Sequence, residues 1–213
     1  MTFLIQQTML YAVPLMIVAL AGVFAERSGI INLALEGIMI FGAFVGVLFV
    51  RSMQSFDIFI NAFRAGDWLT LQGLMLLAML VSAAMGVIFS LLLSFASINL
   101  KADQTIGGTA LNLMAPALVL FLVRVLANQN TLQMATGAAA SGENPQAADS
   151  LGINVYRMRY AGTTISGALA GMGGFVYSLT TANCTANGDV AGFGFLALAV
   201  MIFGNWKPGN IAA

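Results

Sequence analysis

The side chains that could bind a small polar solute are amides, a carboxylate and a hydroxyl, all lying within long apolar runs. Asn32 and Glu36 are four residues apart, so on a helix they would share one face. Thr109 and Asn112 form a second polar sector in a later apolar run. Such groups hydrogen-bond equally well to sugar hydroxyls, base edges and ammonium groups. These four residues are therefore candidates for lining a passage.

The sequence leaves three interpretations of Glu36 open. A carboxylate at the centre of a membrane helix costs on the order of 3 kcal/mol, so it normally faces a protein interior or a wet cavity. Glu36 could therefore line a pathway, or it could be protonated and bonded to a neighbouring helix, or lie near the membrane interface. By contrast, the pattern Gly167-x-x-x-Gly171 is typical of close helix packing.

Several kinds of chemistry are missing from the sequence. There is no histidine and only one cysteine, Cys184, which excludes an imidazole base and a histidine metal site. No G-x-x-x-x-G-K-[ST] loop for binding phosphates occurs. The net charge is zero, so nothing attracts the chain to nucleic acid. We expect no catalytic residues, no metal and no cofactor, and a conduit or structural partner more than an enzyme.

The elements that must hold these polar residues are membrane helices. Only 8% of the residues are charged, against roughly 25% in soluble domains, and the mean hydropathy is +0.92. Apolar runs of about 20 residues suit helices that cross a bilayer. We predict an all-α bundle of about five crossings plus a short re-entrant or partial helix. The predicted crossings are Met9–Ala25, Ile30–Val50, Leu69–Ile98, Thr105–Leu126 and Tyr160–Thr181, and the partial helix is Phe193–Phe203.

The cationic residues alone leave the topology open. Alternating five crossings places Arg27 and Lys101 on one side and Arg51, Arg64, Arg124, Arg157 and Arg159 on the other. If a crossing is missing between Arg124 and Glu143, the grouping becomes Arg27, Lys101, Arg157, Arg159 and Lys207 against Arg51, Arg64 and Arg124. Each grouping has a majority side that the positive-inside rule would place in the cytoplasm.

Four segments resemble the permease subunits of ABC transporters, specifically the nucleoside type within the branched-chain amino acid and simple-sugar permease family. The segments are Glu26–Phe44 (E-R-S-G-I-I-N-L-A-L-E-G-I-M-I-F-G-A-F), Lys101–Leu113 (K-A-D-Q-T-I-G-G-T-A-L-N-L), Gly142–Tyr160 (beginning G-E-N-P-Q-A-A-D) and Gly192–Pro208 (beginning G-F-G-F-L-A-L-A). They occupy about a third of the chain and occur in the family's order.

The resemblance implies an importer. Two permease subunits, identical or different, would form the pathway, an extracytoplasmic lipoprotein would deliver the solute, and two cytoplasmic ATPase subunits would drive it. The chain would be one multi-pass permease domain, residues 1–213, in the lipid of a bacterial plasma membrane. Residues 142–159 would be its cytoplasmic coupling loop. The residues implied to contact the ATPase are Gly142, Glu143, Asn144, Pro145, Ala148, Asp149, Gly152, Ile153 and Arg157.

The sequence also departs from the family pattern. A further crossing normally lies between the segments that match Arg124 and Gly142, and Ala127–Ser141 is too short and too polar to supply one. We therefore predict an internally shortened permease and the second grouping of cations. Two alternatives stay open: a permease for simple sugars or branched-chain amino acids, and a stand-alone channel or secondary transporter.

Overall fold

The computed structural model describes residues 2–134 and 155–212, and these residues form a helical bundle with one very small sheet. The helices are α1 (Thr2–Arg27), α2 (Leu35–Met53), α3 (Asp57–Ala65), α4 (Trp68–Ser94), α5 (Gln104–Ala127), α6 (Val155–Thr180), α7 (Phe193–Phe203) and α8 (Pro208–Ile211). A π-helical turn, Phe95–Asn99, extends α4. Two short antiparallel strands pair Leu132–Gln133 (β1) with Thr185–Ala186 (β2).

Four of the helical segments are long and apolar enough to cross a membrane. They are Phe3–Arg27, Leu35–Met53, Trp68–Asn99 and Gln104–Ala127, which confirms the first four predicted crossings as apolar helices. The predicted crossing Tyr160–Thr181 is also helical, as α6, but α6 is richer in Gly, Ser and Thr and is not among these four. It packs against α4, α1 and α2, so much of its surface faces protein and need not be strongly apolar.

Glycines allow α6 to approach its neighbours backbone to backbone. A Cβ on Gly167 or Gly171 would collide with backbone atoms of α4, and a Cβ on Gly42 of α2 would collide with the Gly171 backbone. A Cβ on Gly86 of α4 would likewise meet the Gly167 carbonyl oxygen. The packing role predicted for Gly167-x-x-x-Gly171 is therefore confirmed, since only residues without a side chain permit this spacing.

The second predicted crossing, Ile30–Val50, is wrong at its beginning. Residues 30–34 are not helical, and α2 begins at Leu35. Gly29 has a φ of +83°, a left-handed conformation that glycine adopts without steric cost. The Asn32 side-chain oxygen accepts a hydrogen bond from the Ala34 N–H at 3.2 Å, a local contact that competes with helix. Asn32 and Glu36 consequently do not share a helical face.

The bundle has two ends that can be told apart by their contacts. At the Arg27 end, Arg27 donates to the Trp206 carbonyl at 3.0 Å and Tyr160 donates to Asn99 at 2.5 Å. At the Arg51 end, Arg51 donates to Gln129 at 3.4 Å, beside the short sheet. The cations at the Arg27 end are Arg27, Lys101, Arg157, Arg159 and Lys207, whereas Arg51, Arg64 and Arg124 are at the other end. This is the second of the two groupings considered from sequence.

The short apolar helix α7 is a half-helix, as predicted. It has 11 residues, about 16 Å of rise, or roughly half the thickness of a bilayer core. Its first residue, Phe193, packs on the rings of Tyr177 and Tyr11 inside the bundle. The turn that follows α7 reaches the Arg27 end through Trp206. The helix therefore begins within the bundle and ends at its surface.

Candidate functional site

Three of the four predicted pathway residues are buried around the break that precedes α2. Asn32, Glu36 and Asn112 are 0%, 8% and 8% exposed, and each makes hydrogen bonds to a different neighbouring element. We call these three residues the polar junction. Their burial agrees with the expectation that strongly polar groups in this chain avoid lipid.

Asn32 connects the break to α6. Its Nδ2 donates to the Ser166 hydroxyl oxygen at 2.9 Å, and its Oδ1 accepts from the Ala34 N–H. Ser166 is itself fully buried. The amide of Asn32 thus satisfies two groups that water does not reach, which is how buried polar groups avoid a desolvation penalty.

Glu36 connects the first turn of α2 to the first turn of α7. Its Oε1 accepts from the Gly192 N–H at 2.9 Å, and its Oε2 accepts from the N–H groups of Gly194 at 2.6 Å and Phe195 at 3.3 Å. The first N–H groups of a helix have no partner within the helix and carry partial positive charge, so a carboxylate is well placed there. A Cβ on Gly194 would collide with the Glu36 backbone, so the approach depends on that glycine.

Asn112 connects α5 to both sides of the same break. Its Oδ1 accepts from the Gly37 N–H at 2.8 Å, and its Nδ2 donates to the Leu33 carbonyl oxygen at 2.6 Å. Gly108, one turn earlier on α5, allows the contact, because a Cβ there would collide with the Leu33 side chain. Asn112 therefore satisfies one donor of the α2 N-terminus and one acceptor of the preceding segment.

Thr109 is not part of the polar junction. It is exposed on the outer face of α5, and its hydroxyl donates to the Thr105 carbonyl oxygen of its own helix at 2.7 Å. Together with Thr105, Ile106, Ala110 and Leu113 it lines a shallow open groove. The polar sector predicted for this helix is therefore divided, with Asn112 facing the bundle and Thr109 facing away from it.

No sequence pattern predicted two of the groups around Glu36, namely the backbone amides of α7 and the Asp189 carboxylate. The partners of Glu36 are backbone amides of α7, which no side-chain pattern can indicate, although the pair of glycines at Gly192 and Gly194 is consistent with close backbone approach. Asp189 lies close enough to Glu36 to interact with it electrostatically. It is exposed, and its Oδ1 accepts from the Ala191 N–H at 2.8 Å.

Most of the predicted coupling residues lie outside the described residues. These are Gly142, Glu143, Asn144, Pro145, Ala148, Asp149, Gly152 and Ile153. The remaining one, Arg157, is exposed in the first turn of α6. It lies at the Arg27 end, where the guanidinium of Arg159 also approaches Gly29.

Asp67, Asp103 and Cys184 lie between the long helices and have shifted pKa values. The N–H groups of Ile106 and Thr105 hold the pKa of the Asp103 carboxyl below its usual range, because they bond its ionised form at the N-terminus of α5. At the start of α4, the Thr70 hydroxyl and then its N–H donate hydrogen bonds to Asp67 and lower the pKa of its carboxyl. Burial raises the pKa of the Cys184 thiol. Asp67 and Asp103 are thus helix caps, not solute-binding groups.

The arrangement of these residues offers hydrogen bonds but no reactive group. Among residues 2–134 and 155–212, no three His, Cys, Asp or Glu side chains are grouped so as to hold a metal ion. Buried amides and a carboxylate at helix breaks are features of proteins that bind polar solutes within the membrane. The fold thus defines a multi-pass membrane protein with buried polar side chains at a helix break.

Comparison with known proteins identifies the family. A model of the permease component of branched-chain amino acid transport systems matches residues 4–134 and 131–213, and the chain belongs to this family. It is 34% identical to the guanosine ABC transporter permease protein NupQ of Bacillus subtilis (strain 168), over 98% of this chain and 77% of that protein. It is also 34% identical to the nucleoside ABC transporter permease protein NupC of Lactococcus lactis subsp. cremoris (strain MG1363), over 96% and 76%. No solved structure matches the chain.

The same comparisons bear on the predicted shortening. The alignments run over 258 and 254 positions, whereas the chain has 213 residues, so both relatives contain residues that have no counterpart here. The two segments of the family match meet at residues 131–134, within the stretch where a crossing was predicted to be missing. The described residues on either side, Met134 and Tyr160 near the start of α6, lie near opposite ends of the bundle.

Proposed function

We propose that this chain is the membrane-spanning permease subunit of an ATP-driven importer for nucleosides or similar small polar solutes. The observation that carries this proposal is its 34% identity, over nearly the whole chain, to a guanosine permease and a nucleoside permease. The buried polar junction is consistent with it, because base edges and ribose hydroxyls need amide and carboxylate partners in a water-poor site.

Energy would come from separate subunits. In the proposed complex, two permease subunits pair in the plasma membrane, an extracytoplasmic lipoprotein delivers the solute, and cytoplasmic ATPase subunits hydrolyse ATP. Residues 142–159, including Arg157, would contact the ATPase, which requires the Arg27 end to face the cytoplasm. The five cations at that end, against three at the other, agree with the positive-inside rule. The whole chain would act as a single permease domain.

Within the subunit, Asn32, Glu36 and Asn112 would border the pathway, with Thr109 on the outer face of α5 facing the second permease subunit. Since the three junction residues are already hydrogen-bonded to protein, a solute would bind beside them or exchange with those bonds. Asp189 is exposed and interacts electrostatically with Glu36, so it would offer the solute a second carboxylate.

Uptake by the reconstituted complex tests the function. The chain, its ATPase subunits and its solute-binding lipoprotein should be placed in proteoliposomes with radiolabelled guanosine, ribose and leucine in parallel. We expect guanosine uptake that depends on ATP and on the lipoprotein. Uptake of leucine or ribose alone would instead support the second candidate, to which the branched-chain amino acid family description points. Uptake by the chain without an ATPase would identify a channel or secondary transporter.

The orientation can be tested by cysteine labelling in a Cys184→Ser background. Arg157→Cys and Gln129→Cys introduce thiols at exposed positions of the Arg27 and Arg51 ends respectively. A membrane-impermeant maleimide applied to intact cells should label Gln129→Cys and leave Arg157→Cys unmodified until the cells are opened. The reverse pattern would contradict both the orientation and the coupling role.

A further inference from the structure

The half-helix α7 is held at its inner end by Glu36. One carboxylate accepts the N–H groups of Gly192, Gly194 and Phe195. Because Glu36 belongs to the first turn of α2, any displacement of the α7 N-terminus along its axis must stretch these bonds or move α2. Three hydrogen bonds converge on this one side chain, so the inner end of α7 is tied to the polar junction.

The outer end of α7 is held by Glu26 and Arg27, the last two residues of α1, which both contact Trp206. The Trp206 Nε1–H donates to the Glu26 carboxylate, and the Arg27 guanidinium donates to the Trp206 carbonyl at 3.0 Å. Asn205 and Trp206 have φ values of +52° and +55°, and two successive non-glycine residues rarely adopt this left-handed conformation without support. The last residues of α1 therefore hold the turn after α7 in a strained shape.

Between these attachments α7 is a short unbroken helix. It packs mainly against α1 and less against α2, with Ala197 and Met201 buried and Met201 lying against Gly22 of α1. A helix of 11 residues with its backbone bonds intact resists compression and bending. Movement at one attachment is thus passed to the other as a shift of the whole helix.

We propose that α7 transmits movement between the Arg27 end and the polar junction, and that Trp206 is the positioning residue at its outer end. This inference rests on the proposed function, in which the Arg27 end faces the ATPase. Movement of the α1 C-terminus would pull or release Trp206, α7 would shift, and the Glu36 contact would alter the junction. Thermodynamic linkage makes this coupling reciprocal. A substitution at Glu36 should therefore also alter the contacts of Trp206.

Amide hydrogen exchange of the complete transporter in detergent tests this transmission without requiring transport. Trp206→Phe removes the donor to Glu26 and keeps an aromatic ring. We expect exchange at residues 192–195 to accelerate by about tenfold, the effect of losing one good hydrogen bond. Trp68→Phe, which changes the only other tryptophan, at the Arg51 end, is the matched control and should leave that exchange unchanged. Acceleration confined to residues 204–207 would overturn the proposal.

Two further variants, Glu26→Gln and Glu36→Gln, test the two attachments of α7 separately by the same exchange measurement. Gln at position 26 can still accept from Trp206, so this variant should resemble the wild type. Glu36→Gln places an amide NH2 group against the α7 N–H donors, so it should accelerate exchange at residues 204–207. Unchanged exchange there would overturn the proposal even if Trp206→Phe failed to fold.

A functional readout separates this inference from the proposed function. In proteoliposomes, Trp206→Phe should lower the amount of solute imported per ATP hydrolysed by about fivefold or more, with assembly retained, as coupling energies of this kind allow. A wild-type complex that imports no solute refutes the proposed function and leaves the exchange result standing. A Trp206→Phe complex with the wild-type ratio refutes the transmission alone.

Discussion

Gly42 of α2 and Gly171 of α6 meet backbone to backbone, so closely that a Cβ on Gly42 would overlap the Gly171 carbonyl group. Gly171 in turn lies against the Ser82 carbonyl oxygen of α4. Helices α2 and α4 are therefore both positioned against α6 at glycines, where no side chain separates the backbones. Close helix contact in lipid depends on van der Waals packing of this kind, because burial away from water supplies little driving force there.

Gly171→Ala should destabilise the protein. The new methyl group would collide with backbone of α4, which cannot rotate away, and overpacking of this kind typically costs about 1–3 kcal/mol. The measurement is thermal unfolding of the purified protein in detergent. Gly73→Ala is the matched control, since Gly73 is an exposed residue of α4 with no atom within 4 Å of a Cβ. It should be neutral or slightly stabilising, and equal effects of the two variants would contradict the packing argument.

Asn112→Ala should loosen the break before α2. The substitution leaves the Gly37 N–H and the Leu33 carbonyl oxygen without partners, and an unsatisfied buried group costs about 1–3 kcal/mol. Thermal unfolding should show the loss. Thr109→Ala removes an exposed hydroxyl bonded only within α5 and should change stability by less than about 0.5 kcal/mol. If Thr109→Ala were the more damaging variant, the assignment of inner and outer faces would be wrong.

Ser166→Ala should destabilise through Asn32. The substitution leaves the Nδ2 group of Asn32, a fully buried residue, without its acceptor, again at a cost of about 1–3 kcal/mol. Thr164→Ala, two residues earlier, removes a hydroxyl that bonds only to the Ala161 carbonyl oxygen and serves as the control. A double-mutant cycle with Asn32→Ala should show coupling, whereas additive effects would mean that the two side chains act independently.

Asp103 should contribute stability that depends on pH. Its pKa is lowered in the folded protein from an ordinary value of 3.8, so its contribution is fully present above that value and is lost as the pH falls through the lower, folded pKa. Asp103→Asn keeps a helix-capping side chain that cannot titrate. The melting temperatures of the two proteins should therefore converge as the pH is lowered below 4. A constant difference from pH 7 to pH 3 would show that the carboxylate does not cap α5.

The sequence was sufficient to predict the class of fold and the positions of most helices. Long apolar runs with few charges have one stable form in a bilayer, because only helices satisfy their own backbone. The half-helix α7 was also predictable, since Phe193–Phe203 is too short to cross. The family could be recognised from local strings, which keep their order regardless of how the helices pack.

The start of α2 and the role of Asn32 were not predictable in this way. Residues 30–34 are as apolar as the helix that follows, and hydropathy does not distinguish a buried irregular segment from a helix. The helical face predicted for Asn32 is absent, because α2 begins only at Leu35. Its true partner, Ser166, is 134 residues away in the sequence, and nothing local indicates that pairing.

Tertiary structure alone decided what Glu36 contacts. The sequence indicates only that a carboxylate in an apolar run must avoid lipid, because its desolvation there is costly. Its partners are backbone N–H groups at the start of α7, 156 or more residues further along the chain. Backbone amides are the same in every residue, so their availability depends on where a helix begins and which way it points. That direction is set by packing between helices, which the order of side chains in one segment does not encode.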